Sequence, residues 1–261
     1  MHMKYELQSF GIMELGKREK QEDSVFPALG ENNENDRLFV VCDGMGGHSA
    51  GEVASQTVCD AISSYILDND SNTGQEGEFT DDDFKKTLEH AYNELDAKDN
   101  GAEKKMGTTL TFLKLHGKGA TIAHIGDSRV YHIRSGKTAD ETEILFQTYD
   151  HSLVNDLVKI GEMTPEEAKT SRQKNIITRA MQPNLERRCR ADIHHTDDIK
   201  PGDYFMLCTD GILEQMEDKD IRHLFSEEGG DDELKIEKLI EWTKDNRDNH
   251  SAEIVHITNV L

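Results

Sequence analysis

An α+β fold with mostly antiparallel sheets is predicted by two observations on the chain. Short β-like runs follow one another in series, and helical spacing is confined to separate blocks between them. A doubly wound parallel sheet would need a helix after nearly every strand. The first run, 5–12, precedes an all-apolar run at 38–42. Helical spacing then appears at Ala54, Val58, Ile62 and Ile66, with Thr57, Ala61 and Tyr65 beside them. The stretch 67–80, rich in Asp, Asn, Gly and Glu, reads as a surface loop. Thr80-Asp81-Asp82-Asp83 suits the start of a second helix carrying Phe84, Leu88, Ala91 and Leu95. Four runs follow, at 108–116, 119–125, 129–134 and 143–148, with a turn at Ser135-Gly136. A helix is expected over 151–161. Two more runs, 192–199 and 203–208, flank a Pro201-Gly202 turn, and a helix over 232–245 leads to a last run at 253–258. Only four prolines occur, with no Ser/Gly-rich linker and no repeat, so residues 1–261 read as one domain.

Composition narrows the function. Acids outnumber bases 52 to 30, a net charge of -22. Phosphate backbones and anionic membranes would be repelled, which argues against nucleic-acid and membrane partners. No apolar run approaches the ~20 residues of a membrane helix. MHMKYELQSFG lacks a basic segment followed by an apolar one, so no signal peptide is expected. Four cysteines form no CxxC pair, and Cys42 and Cys208 sit inside apolar runs. A reduced, cytoplasmic monomer is the simplest expectation.

The informative feature is where the acids fall. Run 38–42 ends in Asp43-Gly44, run 203–208 with Thr209 in Asp210-Gly211, and run 119–125 in Gly126-Asp127-Ser128-Arg129. Asp248-Asn249 lie shortly before the last run, and Glu22-Asp23 precede Ser24-Val25-Phe26. A single Asp-Gly is ordinarily a tight turn. Five acidic sites at strand ends would converge on one sheet edge if the strands align. Carboxylates that close raise one another's pKa. Few bases stand beside them in sequence, Arg129 next to Asp127 and Arg18 four residues before Glu22 among them. Hard divalent cations such as Mg²⁺ and Mn²⁺ take oxygen ligands and answer the repulsion.

These residues carry a resemblance. Arg18…Glu22-Asp23, Asp43-Gly44-Met45-Gly46-Gly47-His48, Met106-Gly107-Thr108-Thr109, Gly126-Asp127-Ser128-Arg129, Asp150-His151-Ser152, Thr209-Asp210-Gly211 and Asp248-Asn249 resemble, in order and from about residue 10 to the end, the metal-dependent protein Ser/Thr phosphatases of type 2C in their bacterial form. The resemblance implies a four-layer α/β/β/α sandwich of two packed antiparallel sheets. It implies hydrolysis of phosphoserine and phosphothreonine in proteins by a metal-activated bridging water, without a phosphoenzyme intermediate. The cofactors implied are two Mn²⁺ or Mg²⁺ ions and a third, weaker one. The implied partners are phosphorylated targets of a Ser/Thr kinase.

Carried over residue by residue, Asp43 bridges two metals, the Gly44 carbonyl binds the second, and Asp210 and Asp248 complete the first. Asp245 competes with Asp248 for that role. Glu22 and Asp23 act through metal-bound waters, Arg18 binds phosphate, and Asp127 binds the third ion. Glu214 is either another acid near that ion or a helix-surface residue. The general acid is open between His48 and a metal-bound water, because Met45 stands where some relatives have histidine. His151 reads as structural, and no histidine has a spacing that reads as zinc. Residues 152–182 correspond to a flap beside the site. There Ser171-Arg172 replace a usual His-Pro and Gln182 a usual Gly, which bears on flap conformation and substrate preference. Two other classes of function compete: a catalytically silent phosphoprotein-binding module, and a two-metal nuclease, which the charge opposes.

Overall fold

Successive residues of the central strands are apolar, so each strand has to bury both faces. The computed structural model describes residues 2–46, 50–73, 77–99, 101 and 106–261, and it meets that demand with four layers. In chain order the elements are β1 (Tyr5–Glu14), β2 (Asp23–Phe26), β3 (Leu38–Met45), α1 (Ala50–Thr73), α2 (Asp81–Ala97), β4 (Gly107–Thr108), β5 (Leu110–His116), β6 (Gly119–Ile125), β7 (Arg129–Arg134) and β8 (Glu143–Gln147). After them come α3 (Leu153–Lys159), α4 (Pro165–Thr170), β9 (Asp192–Thr196), β10 (Asp203–Cys208), α5 (Asp218–Phe225), α6 (Asp232–Thr243) and β11 (His250–Val260). One sheet has the order β1-β11-β10-β7-β8 and the other β2-β3-β5-β6-β9, with β4 on β3. Their neighbouring strands pair antiparallel.

Alternation sorts the side chains into layers. Phe39, Val41, Leu113 and Ile122 of one sheet meet Val130, Phe205, Leu207 and Val255 of the other between the sheets. The intervening Val40, Cys42, Phe112 and Ala123 point outward onto Ala54, Val58, Ile62, Phe84 and Leu88 of α1 and α2. On the far side Tyr131, Met206 and Ile254 pack on Ile221, Leu224, Phe225 and Leu239 of α5 and α6. The expected α/β/β/α sandwich is what forms.

Several boundaries differ from expectation. The stretch 67–80, expected as loop, is helical as far as Thr73, where α1 ends. Asp and Asn favour caps locally, but adding a residue to a formed helix is easier than starting one, and Asn69 donates to the Tyr65 carbonyl at 2.7 Å. The last strand starts at His250, not 253, because buried Ser251 and Glu253 hide its alternation. β2, α4 and α5 were too short to read from apolar spacing alone. Thr80 does cap α2, accepting from the Asp83 amide while Asp83 returns a bond to the Thr80 amide.

Candidate active site

Sheet register brings the acids together. Asp23 opens β2 and lies directly across from Asp43 on β3. Cys208 pairs with Ala252, and the Thr209 amide donates to the Ser251 carbonyl. Asp210 and Asp248 therefore flank the same end of adjacent strands. Asp127 sits where the chain leaves β6 in one sheet for β7 in the other.

The backbone around Asp43 is fixed from two sides. Its amide donates to Thr109 Oγ1 at 2.9 Å, and its carbonyl accepts from the Thr109 amide at 2.9 Å and Thr108 Oγ1 at 3.0 Å. The Gly44 amide donates to the Glu22 carbonyl at 3.0 Å. A Cβ at Gly44 would lie 2.2 Å from the Gly51 carbonyl oxygen, so only glycine lets β3, β2 and the start of α1 meet here. The Glu22 side chain approaches that junction, with Oε1 2.7 Å from where a Gly51 Cβ would stand.

The carboxyls are crowded and buried. Asp23 accepts from Ser251 Oγ at 2.7 Å and Thr209 Oγ1 at 3.2 Å, both on Oδ2, while Oδ1 has no partner. Asp127 Oδ1 is likewise buried without a partner. Burial, then the charges of Asp23, Asp210, Asp127 and Asp248, raise the pKa of Asp43 well above the carboxylate range. Burial pushes Asp23 to about 7; its hydroxyl bonds oppose this, and Asp210 and Asp248 add to it. Burial followed by Asp210 and Asp150 pushes Asp127 to about 7. Asp210 is raised by burial and by Asp248, and a hydrogen bond with Asp43 opposes the rise. Four acids held against their own repulsion, two with orphaned oxygens, form a donor set that fits hard divalent cations.

Arg18 reaches the cluster through Asp248, donating from Nη2 to Oδ2 at 2.6 Å. Both side chains are about half exposed, at 53% and 41%. Asn249 ties this corner together: Oδ1 accepts from the Glu22 amide and Nδ2 donates to the Leu15 carbonyl, each at 2.9 Å. Thus all eight predicted residues, Arg18, Glu22, Asp23, Asp43, Gly44, Asp127, Asp210 and Asp248, gather at one end of the sandwich. Of the two alternatives Asp248 stands in the cluster, whereas Asp245 is exposed beside Lys244. Glu214 takes the surface option and accepts from the Arg247 amide at 2.7 Å. His48 lies outside the described residues.

Sequence reasoning missed the supports. Thr209 and Ser251 hold Asp23 from 186 and 228 residues away, a separation no local pattern reveals. Asp150 holds Arg129 through two bonds of 2.6 and 2.7 Å and adds charge beside Asp127. His151 ties into the scaffold: Nδ1 accepts from the Gly126 amide at 3.1 Å, and its own amide donates to the Gly126 carbonyl at 2.9 Å. Its Nε2 lies 3.2 Å from Asp192 Oδ2 and 3.1 Å from Arg179 Nη1. His124 stacks on His151 at 4.4 Å, and the three side chains have metal-ligand spacing that the sequence did not show. The Arg179 guanidinium already supplies the cation there, 2.9 Å from Asp192 Oδ1.

Comparison with known proteins converges on one family. The family model described as Protein phosphatase 2C matches residues 13–229. The protein phosphatase PhpP of Streptococcus pneumoniae is 34% identical over 196 residues, 72% of either chain. The Ser/Thr phosphatase Stp1 of Staphylococcus aureus superposes with a TM-score of 0.78 at 31% identity, over 98% of this chain and 97% of that one. The catalytic domain of the Ser/Thr protein phosphatase PstP, solved with two manganese ions, gives 0.73 at 27% identity, over 98% and 100%.

Proposed function

The chain belongs to the protein phosphatase 2C family, and on that basis we propose that its acidic cluster hydrolyses phosphoserine and phosphothreonine in proteins with divalent cations. The observation that carries this reading is the convergence of Asp23, Asp43, Asp127, Asp210 and Asp248 with two buried carboxylate oxygens left unpartnered. Asp43, the Gly44 carbonyl, Asp210 and Asp248 would hold two Mn²⁺ or Mg²⁺ ions, Glu22 and Asp23 would act through water, and Asp127 would hold a third ion. Such ions, when bound, supply neutralisation of the phosphoryl oxygens and activation of the attacking water.

The chain's own residues supply position and charge. Thr108 and Thr109 clamp the Asp43 backbone, so its carboxyl points the same way before and after substrate arrives. Ser251 and Thr209 orient Asp23 through one oxygen and leave its second without a partner. Asp248 positions Arg18 at the exposed rim, where the guanidinium's remaining N–H groups can take two phosphate oxygens. A proton for the leaving serine or threonine oxygen comes from His48 or from solvent held at the acids.

In this reading residues 1–261 are one catalytic domain with a flap over 152–182, working as a cytoplasmic monomer on targets of a Ser/Thr kinase. None of the described helices is long and apolar enough to cross a membrane. The test is phosphate release from a phosphothreonine peptide with Mn²⁺, with Mg²⁺ and with EDTA. Release with metal and none with EDTA is expected. A folded protein that releases none with either metal refutes the proposal and favours a binding module.

A further inference from the structure

Charge is distributed unevenly along this acidic chain. Between residues 169 and 190 stand Lys169, Arg172, Lys174, Arg179, Arg187, Arg188 and Arg190 against the single acid Glu186. Seven of the chain's 30 bases thus fall in one short segment of a protein whose net charge is -22. Two are committed internally: Arg179 to Asp192, and Arg188 to Asp96 at 2.6 Å. Arg172, Lys174, Arg187 and Arg190 are exposed, and no acid among the described residues forms an ion pair with them.

The segment is fastened to the rim of the acidic cluster. Met181 and Thr108 exchange backbone hydrogen bonds of 2.9 Å, and Thr108 also holds the Asp43 carbonyl. Ile177 bridges to Ser152, and the Thr178 amide donates to the His151 carbonyl at 2.8 Å. His151 in turn grips Gly126, the residue before Asp127. At its far end the segment enters β9 at Asp192, which pairs with His124 near the end of β6 that leads to Asp127. Arg172 and Lys174, just before residues 177–181, therefore stand on the side of the segment next to the site, while residues 184–189 pack on α2 through Asp96, Asn93 and Tyr92.

Resting on the phosphatase reading above, we infer that residues 169–190 form a basic rail selecting phosphoproteins with acidic residues beside the phosphorylated one, and that Arg172 and Lys174 are its specificity-determining contacts. The body of the molecule repels an acidic partner, and the rail is where such repulsion reverses sign. Opposed fields of this kind orient an approaching chain as well as attract it.

The experiment compares three phosphothreonine peptides with one core and with acidic, neutral or basic flanks. Hydrolysis by the Mn²⁺-loaded protein is measured at low and high salt, with p-nitrophenyl phosphate as a substrate too small to reach the rail. We expect kcat/KM for the acidic peptide to exceed that for the neutral one by about tenfold at low salt, mostly through KM. High salt should erase the preference, because at about 1 M the screening length between exposed charges falls to about 3 Å. The double variant Arg172→Gln/Lys174→Gln should lose the preference while turning over p-nitrophenyl phosphate as the parent does. An acidic preference that survives the double variant, or a preference for the basic peptide, overturns the rail. Binding of the same peptides by fluorescence anisotropy needs no turnover. Acidic preference in binding with no hydrolysis of any substrate would leave the rail standing and sink the phosphatase reading.

Discussion

One aspartate opens β10 and another stands just past its end, and the two could hardly be treated more differently. At its start, Asp203 is completely buried and fully answered. Arg134 donates to Oδ1 and Oδ2 at 2.9 Å, His132 lies 3.1 Å from Oδ2, and the Lys200 amide donates at 2.9 Å. Burial opposes its ionisation, yet the bonds from His132, Arg134 and Lys200 outweigh burial and its pKa falls. Just past the other end, Asp210 meets Asp43 and Asp248 where a base would serve, and its pKa rises. The strand thus leads from a carboxylate used as a brace to one crowded by its own kind, in a cluster where Asp23 and Asp127 keep unpartnered oxygens. Unsatisfied charge inside a protein is costly, so its retention marks the end of the sandwich where a cation belongs.

The sharpest way to break this contrast is to exchange the same atoms at both ends. Asp43→Asn and Asp210→Asn should each lower metal-dependent phosphate release by about 10³-fold or more. The metal-free Asp210→Asn protein should melt no lower than the parent, because a like charge has been removed. Asp203→Asn should do the reverse. It leaves Arg134 and His132 facing a neutral amide, at a cost of about 3 kcal/mol. For a domain of this size that lowers the melting temperature by roughly 10 °C, with activity per folded molecule unchanged. Calorimetry and phosphate release on the three variants decide it. If Asp203→Asn lost activity and Asp210→Asn only stability, the two ends would have been assigned backwards.

A smaller effect should come from the residues that aim an acid without touching a metal. Ser251→Ala removes the shorter of the two hydroxyl bonds to Asp23. Metal affinity should weaken about tenfold, the low end for loss of a supporting bond, while saturating Mn²⁺ restores most turnover. Titration of activity against Mn²⁺ reads this directly. A fall in the plateau at unchanged affinity would mean that Asp23 does something other than steady an ion.

The difference between the two ends of β10 also explains what was legible. Asp43, Asp127 and Asp210 stood out because each follows an apolar run and begins a turn, both local signals. Arg134 and Asp203 carry no such mark, since their pairing spans 69 residues and arises only when β7 lies against β10. The same holds for Ser251, and although Thr209 and Asn249 stand in the resembling motifs, what they hold shows only when β11 returns beside β10 and β1. The layers were legible only by resemblance. A strand apolar on both faces announces that it is covered twice, but not that a sheet lies on one side and helices on the other. The acidic tail of α1 misled for the opposite reason, because composition there favoured a loop and the helix already formed behind it prevailed.

Glu253 stands between the two cases and sharpens them. It lies in mid-strand opposite Leu207, fully buried, with Oε2 accepting from Asn32 at 3.1 Å and Oε1 unpartnered. Burial raises its pKa to about 8; the Asn32 bond opposes this, and Asp36 adds a little. Among the described residues no second carboxylate shares the position, so a proton rather than a cation should neutralise it. The folded pKa lies above the unfolded value of about 4.3. The contribution to stability is therefore complete below about pH 4.3 and drains away as pH rises towards 8, at up to about 1.4 kcal/mol per pH unit. Glu253→Gln should flatten the fall in stability between pH 5 and 8 without changing the Mn²⁺ requirement. Denaturant unfolding at several pH values, with and without Mn²⁺, tests both parts. If Mn²⁺ removed the pH dependence in the parent as fully as the Gln variant does, an orphaned oxygen at Glu253 would signal an ion site after all, and the distinction between a lone buried acid and a cluster would fail.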